Sequence, residues 1–180
     1  MKIISITGPE SSGKSEFATY LSKRLKNNIL CPEFARTYME EHLPDGTYMK
    51  EDVKKMLVGQ IELWDDHQAT PANYLILDGD VIIYAVWVDY VFGEKWDEIE
   101  SYLKKHRPHV TALCTPDLPW EPDPLRSNPN DRDFLFQKYK KIIFENNLPS
   151  IEIVGVGENR FERAFESICS ALSIDKSEYQ

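Results

Sequence analysis

The chain has 180 residues, of which 42% are hydrophobic and 12% are aromatic. This length fits a single well-filled domain over residues 1–180, because folding at this size removes roughly 70% of the unfolded chain's surface from water. The 21 Lys and Arg against 30 Asp and Glu give a net charge of −9, which argues against a broad surface that follows a nucleic-acid backbone. We therefore expect no nucleic-acid partner.

Membrane association and secretion are not indicated either. No stretch of the sequence approaches the ~18 apolar residues of a membrane span, and the apolar run at residues 3–6 is too short for a secretory signal. Cys31, Cys114 and Cys169 lack C-x-x-C spacing, so we expect buried free cysteines. The sequence favours a soluble, cytoplasmic protein without a membrane partner, and it leaves open whether the chain forms a homo-oligomer.

Short β-branched runs alternate with helical patterns along the chain. Strands are predicted at residues 3–6, 28–31, 74–77, 109–114 and 151–154. Helices are predicted after the first strand, over residues 50–68 and over residues 161–172, where Asn159 and Glu162 are expected to form the N-terminal cap. Strands that alternate with helices predict an α/β fold with a parallel sheet of about five strands and helices on both faces.

The clearest motif lies between the first strand and the first helix. Residues 8–15 read Gly-Pro-Glu-Ser-Ser-Gly-Lys-Ser and match G-x-x-x-x-G-K-[ST], the Walker A phosphate loop, in full. Glycines let successive backbone N–H groups point at phosphate oxygens, and the helix N-terminus adds positive potential. Lys14 can reach the β- and γ-phosphates of ATP, and the Ser15 hydroxyl can ligate Mg²⁺. We predict that ATP is bound by Gly8, Pro9, Glu10, Ser11, Ser12, Gly13, Lys14 and Ser15.

Two carboxylates follow the third predicted strand. Asp78 comes directly after the apolar residues 75–77 and has the form of the acid that holds magnesium, often through a water molecule. A turn or cap residue is the alternative for Asp78, but the phosphate loop favours the metal role. Asp80 is predicted either to contact the substrate or to cap the following helix.

Two charged side chains follow the second predicted strand. In a doubly wound sheet, ligands gather at the carboxyl ends of the strands, so Glu33 is placed to orient or deprotonate an attacking hydroxyl. The alternative for Glu33 is a first-turn residue that complements the helix dipole. Arg36 is predicted to hold substrate or phosphate, with a surface ion pair as the alternative.

Residues 115–133 form a long irregular stretch with five prolines, and such stretches in compact domains are usually functional or disordered. We interpret this segment as a lid. Arg126 and Arg132 are spaced like clamps that neutralise the oxygens of a transferred phosphoryl group, and Arg126 is also assigned to ATP binding. Solvated loop arginines are the alternative. Trp120 is predicted either to stack on the substrate or to pack the lid against the body of the domain.

The combination of these segments resembles a known family. The residues that carry the resemblance are 8–15, 33–36, 78–80, 119–120 and 125–127. Over nearly its whole length the chain is similar to the ribosylnicotinamide kinase domain of NadR-type bifunctional NAD-salvage proteins, within the broader group of AAA-type ATPases. Many families share the phosphate loop, whereas the Pro-Trp and Leu-Arg-Ser elements of the lid are much more particular. The resemblance implies the P-loop nucleoside triphosphate hydrolase fold of nucleoside and nucleotide kinases.

The resemblance also implies an activity, which is transfer of the ATP γ-phosphate to the 5′-hydroxyl of nicotinamide riboside with Mg²⁺ present. By position, residues 8–15 match the family's phosphate loop and Asp78 its magnesium-associated acid. Arg126 and Arg132 match its lid. Glu33 lies where related nucleoside kinases place the acid that meets the sugar hydroxyl.

The implied acceptor carries a cationic pyridinium ring, which suits an acidic, aromatic-rich pocket. Tyr38 and Trp120 are the candidate faces for this ring. One feature departs from the bifunctional members, in which an adenylyltransferase domain precedes the kinase. Here the phosphate loop begins at residue 8 and no H-x-G-H-like motif occurs, so we expect no nucleotidyl transfer.

Two other functions remain open: a kinase of another nucleoside, and a regulatory ATPase that binds a partner in a nucleotide-dependent way. A GTPase switch is expected to contain an N-K-x-D motif, and residues 128–131 read Asn-Pro-Asn-Asp instead. A lid with two arginines and an acid after the second strand would build an acceptor pocket that a switch does not need. The sequence therefore favours a kinase with a small-molecule nucleoside substrate.

Overall fold

A computed structural model describes residues 1–123 and 130–180, and its centre is one parallel sheet. The strands in the described part are β1 (Lys2–Thr7), β2 (Asn28–Cys31), β3 (Tyr74–Asp78), β4 (Val110–Cys114) and β5 (Ser150–Ile153). Each hydrogen-bonded pair is parallel, and the order across the sheet is β2-β3-β1-β4-β5. The predicted five-stranded parallel sheet is confirmed.

Helices cover both faces of the sheet. They are α1 (Lys14–Arg24), α2 (Phe34–His42), α3 (Lys50–Ala69), α4 (Val81–Phe92), α5 (Asp97–Lys105), α6 (Arg132–Glu145) and α7 (Glu158–Leu172), with a short 3₁₀ helix at Lys176–Glu178. One buried cluster joins the sheet to α2 through α6, and a second joins it to α1 and α7. Both clusters draw on the same strands, since Ile3 belongs to the first and Ile4 to the second.

Helix α4 lies in a part of the chain where the spacing of apolar residues does not predict a helix. Its sequence is apolar almost throughout, and Val81, Ile82 and Val88 have no exposed surface. A helix that is hydrophobic all round lies inside a protein, and α4 packs between α3, α5 and α6. Because no polar face interrupts it, the spacing of its apolar residues does not define a helix.

The predicted cap of the last helix is wrong. Helix α7 begins at Glu158, so Asn159 lies inside its first turn. The N-cap residue is Gly157, and no side chain caps the helix. The Glu162 carboxylate instead accepts hydrogen bonds from Arg24 of α1 at 3.1 and 3.2 Å, and from the Tyr20 hydroxyl. A bidentate bond to an arginine is stronger than a bond to a backbone N–H, which explains why Glu162 pairs across the two helices.

The parallel strands bring the chemistry-bearing segments to one edge. All five strands end at the same edge of the sheet, so the segments after β1, β2, β3 and β4 meet there. These segments contain residues 8–13, 32–33, 79–80 and 115–123. Among the described helices, none combines the length and the apolar character that crossing a bilayer requires.

Candidate active site

The phosphate loop, residues 8–15, has a backbone that requires glycine at its first residue, Gly8, and at Gly13 before α1. Gly8 has a φ of 137°, and a Cβ atom there would lie 2.6 Å from the carbonyl oxygen of Cys114 on β4. Gly13 has a φ of 79° at the start of α1. Both conformations are poorly accessible to residues with a side chain. The loop therefore packs directly on the end of β4 and turns sharply into α1.

Side chains bind the carbonyl groups of the phosphate loop. The Pro9 carbonyl accepts hydrogen bonds from the Lys14 ammonium at 2.9 Å and from the Ser12 hydroxyl at 2.7 Å. Lys14 therefore lies across the loop, where its charge lowers the pKa of Glu33 and of Asp78 against the effect of burial. The structure brings Lys14 together with both predicted carboxylates.

Two arginines from outside the loop also bind its carbonyls. Arg132, the first residue of α6, donates from Nη1 to the carbonyl oxygens of Ser11 at 3.2 Å and Leu118 at 2.8 Å. Arg160 in the first turn of α7 donates from Nη2 to the Ser12 carbonyl oxygen at 3.1 Å. Arg132 thus lies at the phosphate loop, and not within an irregular lid.

Sequence reasoning missed Arg160. Its side chain is 2% exposed, and the same Nη2 lies 3.1 Å from the carbonyl oxygens of both Thr115 and Ile153. The signal was present in the spacing, because Arg160 precedes Ala164 by four residues and Ile168 by eight, on the buried stripe of α7. An arginine on such a stripe needs buried acceptors, and here three strand and loop ends provide them.

Asp78 and Ser15 form the place where a divalent cation fits. The Asp78 carboxylate accepts a hydrogen bond from the Ser15 hydroxyl, and burial raises the pKa of Asp78 above its usual value. Its Oδ1 is buried without a hydrogen-bond partner among the described residues. Mg²⁺ prefers oxygen ligands and retains several from substrate phosphates and water. A magnesium ion at this point would satisfy the orphaned Oδ1, so the residues present fit the ion.

Asp80 takes the second of its two predicted roles. One oxygen of its carboxylate accepts from the Ile82 backbone N–H at 3.0 Å, which caps α4, and the other accepts from the Ser5 hydroxyl. The residue is 2% exposed and does not line the cavity described below. The substrate role assigned to Asp80 is therefore corrected, because its acceptor sites are already used by β1 and α4.

Burial raises the pKa of Asp80 to about 6, which predicts a pH-dependent stability. The folded state holds this proton more tightly than the unfolded chain, where an Asp titrates near 3.9. The contribution of Asp80 to the free energy of unfolding therefore decreases as pH rises from about 4 to about 6. Asp80→Asn keeps an acceptor for the cap but does not titrate. In urea unfolding, we expect the wild type to lose up to about 3 kcal/mol relative to Asp80→Asn between pH 4 and pH 7. A difference that is constant with pH would contradict this assignment.

A cavity of about 380 Å³ opens from the phosphate loop. Its floor is the loop itself, and its walls come from α2, α4 and α6. Glu33 and Lys14 both line it. Burial raises the pKa of Glu33 above that of an ordinary glutamate, while the nearby Lys14 opposes the rise. The Glu33 carboxylate is thus a base of increased proton affinity beside the phosphate-binding lysine.

Arg36 lines the same cavity and connects two segments. Its guanidinium lies 3.1 Å from Asp123 and 3.6 Å from Glu40. Both predicted descriptions of Arg36 therefore have support, since it forms ion pairs and also faces the cavity. The bond to Asp123 links α2 to the irregular segment that follows β4.

The aromatic lining of the cavity differs from the prediction. The cavity is lined by Tyr48, Trp87, Tyr90 and Tyr139. Tyr38 does not line it, because the Tyr38 hydroxyl donates to Asp52 of α3 at 2.9 Å and its ring stacks on His42 at 4.6 Å. Trp120 is half-buried and also lies outside the lining. The substrate assignment of Tyr38 is therefore corrected, whereas the stacking role of Trp120 stays a prediction, and the aromatic lining comes from α4, α6 and the connection before α3.

The cavity-lining face of α4 was hidden by the composition of that helix. Ile83, Trp87 and Tyr90 follow one another at spacings of four and three residues and therefore share a face. The Trp87 indole N–H donates to the Tyr48 hydroxyl at 2.9 Å, with the two rings nearly perpendicular. Because every face of α4 is apolar, the sequence could not distinguish the face that lines a cavity from the faces that pack in the core.

The segment predicted as a lid is only partly described. Leu118, Pro119 and Glu121 line the cavity, and the Ser11 hydroxyl lies 3.3 Å from the Glu121 carbonyl oxygen. The first part of this segment thus lies against the phosphate loop. Arg126, assigned both to catalysis and to ATP binding, lies outside the described residues.

Comparison with solved structures shows that the fold is that of P-loop nucleoside and nucleotide kinases. Two crystal structures of NadR, one in complex with NAD and AMP-PNP and one with NR, match 97% of the chain at 18% identity, with TM-scores of 0.76 and 0.81. The chain spans about half the length of those NadR chains (50% and 51%). Deoxyadenosine kinase from M. mycoides matches with a TM-score of 0.61 at 13% identity, over 95% of this chain and 98% of the kinase.

Further comparisons agree on the fold and identify the family. Thymidylate kinase from Ehrlichia chaffeensis matches with a TM-score of 0.60 at 13% identity, over 96% of this chain and 98% of the kinase. No curated protein matches the sequence. The sequence model of the AAA domain matches residues 3–160, a range that contains the phosphate loop, β1 except for Lys2, the other four strands and every cavity-lining residue named above. The chain therefore belongs to the AAA domain family.

Proposed function

We propose that the chain is an ATP-dependent kinase that transfers the γ-phosphate to the 5′-hydroxyl of nicotinamide riboside. One observation carries the proposal: a carboxylate of raised pKa, Glu33, shares a cavity with the phosphate-loop lysine, Lys14. Phosphoryl transfer requires a site for the donor phosphates, a site for the acceptor, and a group between them that orients the attacking oxygen. A regulatory ATPase needs only the first of these.

The phosphate loop is the proposed donor site. Its backbone N–H groups and Lys14 would bind the β- and γ-phosphates of ATP, where the ammonium neutralises charge that develops during transfer. Ser15 and Asp78 would hold Mg²⁺ against the phosphates. When bound, this ion supplies Lewis-acid stabilisation of the phosphate oxygens.

Glu33 is the proposed orienting group and base for the acceptor. Its carboxylate would accept the proton of the 5′-hydroxyl while that oxygen attacks the γ-phosphorus of ATP. The new bond between the hydroxyl oxygen and phosphorus forms as the bond from the γ-phosphorus to the β–γ bridging oxygen breaks, and ADP leaves. The proton stays on Glu33 until it passes to solvent.

The lining of the cavity supports a flat, cationic acceptor. Trp87, Tyr48, Tyr90 and Tyr139 provide aromatic surface, and a cation over an aromatic face is favourable by about 0.5–2 kcal/mol. Carboxylates on the same lining, including Glu33, favour a positively charged ring. One NadR structure of similar fold is a complex with NR, and NR is the usual abbreviation of nicotinamide riboside. This complex supports nicotinamide riboside as the acceptor.

Acceptor-dependent ATP turnover tests the proposal. ADP formation would be followed with ATP and Mg²⁺ alone, and with nicotinamide riboside, uridine, thymidine or adenosine added. We expect turnover above background with the riboside, and none with free nicotinamide, which lacks the hydroxyl. Turnover with only another nucleoside would keep the kinase and discard this acceptor. Equal turnover with and without every nucleoside would favour the regulatory ATPase.

A further inference from the structure

The carbonyl groups of the phosphate loop are turned away from the anion site by side chains. A loop that binds phosphate through its N–H groups must keep its carbonyl oxygens pointing elsewhere, because they repel the phosphate oxygens. Lys14 and Ser12 bind the Pro9 carbonyl from within the loop. Arg132 binds the Ser11 carbonyl and Arg160 binds that of Ser12, and both arginines come from helices remote in sequence.

The geometry of the peptide bond converts these contacts into a direction for the N–H groups. In a trans peptide, the C=O of one residue and the N–H of the next are antiparallel in one plane. The peptides that join Ser11 to Ser12 and Ser12 to Gly13 are trans. When Arg132 and Arg160 draw the two carbonyls outward, the N–H groups of Ser12 and Gly13 must point the other way. Neither N–H donates to another described residue.

Arg160 also carries a buried charge that lacks full compensation. Within the described part of the chain, its Nε and Nη1 are buried without a hydrogen-bond partner, and Nη2 bonds to carbonyl groups. The charge of Arg160 lowers the pKa of Asp117. The Asp117 carboxylate, however, accepts its hydrogen bonds from the Thr115 hydroxyl and the Gly155 N–H, and not from Arg160. A buried cation without a direct carboxylate partner is unfavourable. A nucleotide phosphate in the loop would supply negative charge nearby.

We propose that Arg160 is a positioning residue of the phosphate site, and that Arg132 acts with it. The two guanidinium groups fix two successive peptides of the loop with their N–H groups toward the nucleotide. Arg160 in addition adds positive potential from beneath the loop. This inference rests on the proposed use of the loop to bind ATP, and it does not depend on which acceptor is phosphorylated.

Binding of AMP-PNP with Mg²⁺, measured by calorimetry, tests this role. Arg160→Met is expected to bind about 10- to 100-fold more weakly than the wild type, because a charge-assisted contact and the loop orientation are lost. Arg160→Lys retains the charge and should lose less. The matched control is Arg163→Met on the same helix, because the Arg163 side chain is exposed and donates to the Val154 carbonyl, at 3.3 Å, and not to the phosphate loop. Its affinity should equal that of the wild type.

A second readout separates positioning from general stability. Arg160→Met leaves the Ser12 and Thr115 carbonyls without their arginine donor, so we expect it to melt below the wild type without ligand. If Arg160 positions the loop, this variant should also lose most of the melting-temperature increase that AMP-PNP causes in the wild type. Wild-type affinity in folded Arg160→Met would overturn the inference. If that variant does not fold, wild-type affinity in both Arg160→Lys and Arg132→Met overturns it. A wild type that does not bind AMP-PNP would instead refute the proposed function.

Discussion

Replacement of Lys14 by alanine is expected to lower the rate of phosphoryl transfer by about 100- to 1000-fold, the effect of removing one key electrostatic donor. Lys14 is the ammonium of the phosphate loop, and its charge acts on both Glu33 and Asp78. Without it, the γ-phosphate loses neutralisation during transfer. The pKa of Glu33 should also rise further, because Lys14 opposes the effect of burial more than Arg36 does.

The control for this change is Lys23→Ala, which removes an exposed lysine from the same helix. Both variants should unfold at nearly the wild-type temperature, because the Lys14 ammonium makes its contact with the loop and not with the core. Initial rates of ADP formation with nicotinamide riboside give the comparison. Turnover at the wild-type rate in a folded Lys14→Ala protein would remove the catalytic role from this loop.

Replacement of Glu33 by glutamine is expected to lower riboside phosphorylation by about 100- to 10,000-fold, the usual range for a general base. Glutamine has nearly the same shape but cannot take up the proton of the attacking hydroxyl. AMP-PNP affinity should be preserved, because the donor phosphates bind at the loop. The control Glu41→Gln changes an exposed carboxylate on α2, the helix that Glu33 precedes, and should leave the rate unchanged. An active Glu33→Gln enzyme would contradict the assignment.

The raised pKa of Glu33 also predicts how the rate changes with pH. A base must be ionised to accept a proton, so kcat/KM should fall as pH decreases through the pKa of Glu33. Because burial raises that pKa, the decline should begin above the range of an ordinary glutamate, which titrates near 4.3. The residual activity of Glu33→Gln should lack this acid limb. An identical limb in both proteins would assign the titration to another group.

The group of residues at the carboxyl edge of the sheet could be predicted, because it depends on one contiguous sequence motif and on one topological rule. The phosphate loop is a contiguous motif, and parallel strands place their carboxyl ends together. Those two facts together predict that Glu33 and Asp78 lie close to Lys14. The structure confirms the parallel sheet that this reasoning required.

The walls of the cavity depend on contacts between segments far apart in sequence, and these could not be predicted. Trp87 lies on a helix that is apolar on every face, so its exposure to the cavity is decided by how α4 packs against α3, α5 and α6. Tyr38 has the side chain expected of a cavity wall, but its hydroxyl bonds to Asp52. The spacing along α7 indicates that Arg160 is buried, but it does not indicate which groups Arg160 binds, because its three carbonyl acceptors come from three separate segments.

The most direct measurement is identification of the product from ATP, Mg²⁺ and nicotinamide riboside by mass spectrometry and ³¹P NMR. We expect the 5′-monophosphate of the riboside, formed one for one with ADP, and none from Lys14→Ala or Glu33→Gln in the same time. The contradicting result is a wild type that binds AMP-PNP yet forms no phosphorylated product from the riboside or from any other nucleoside.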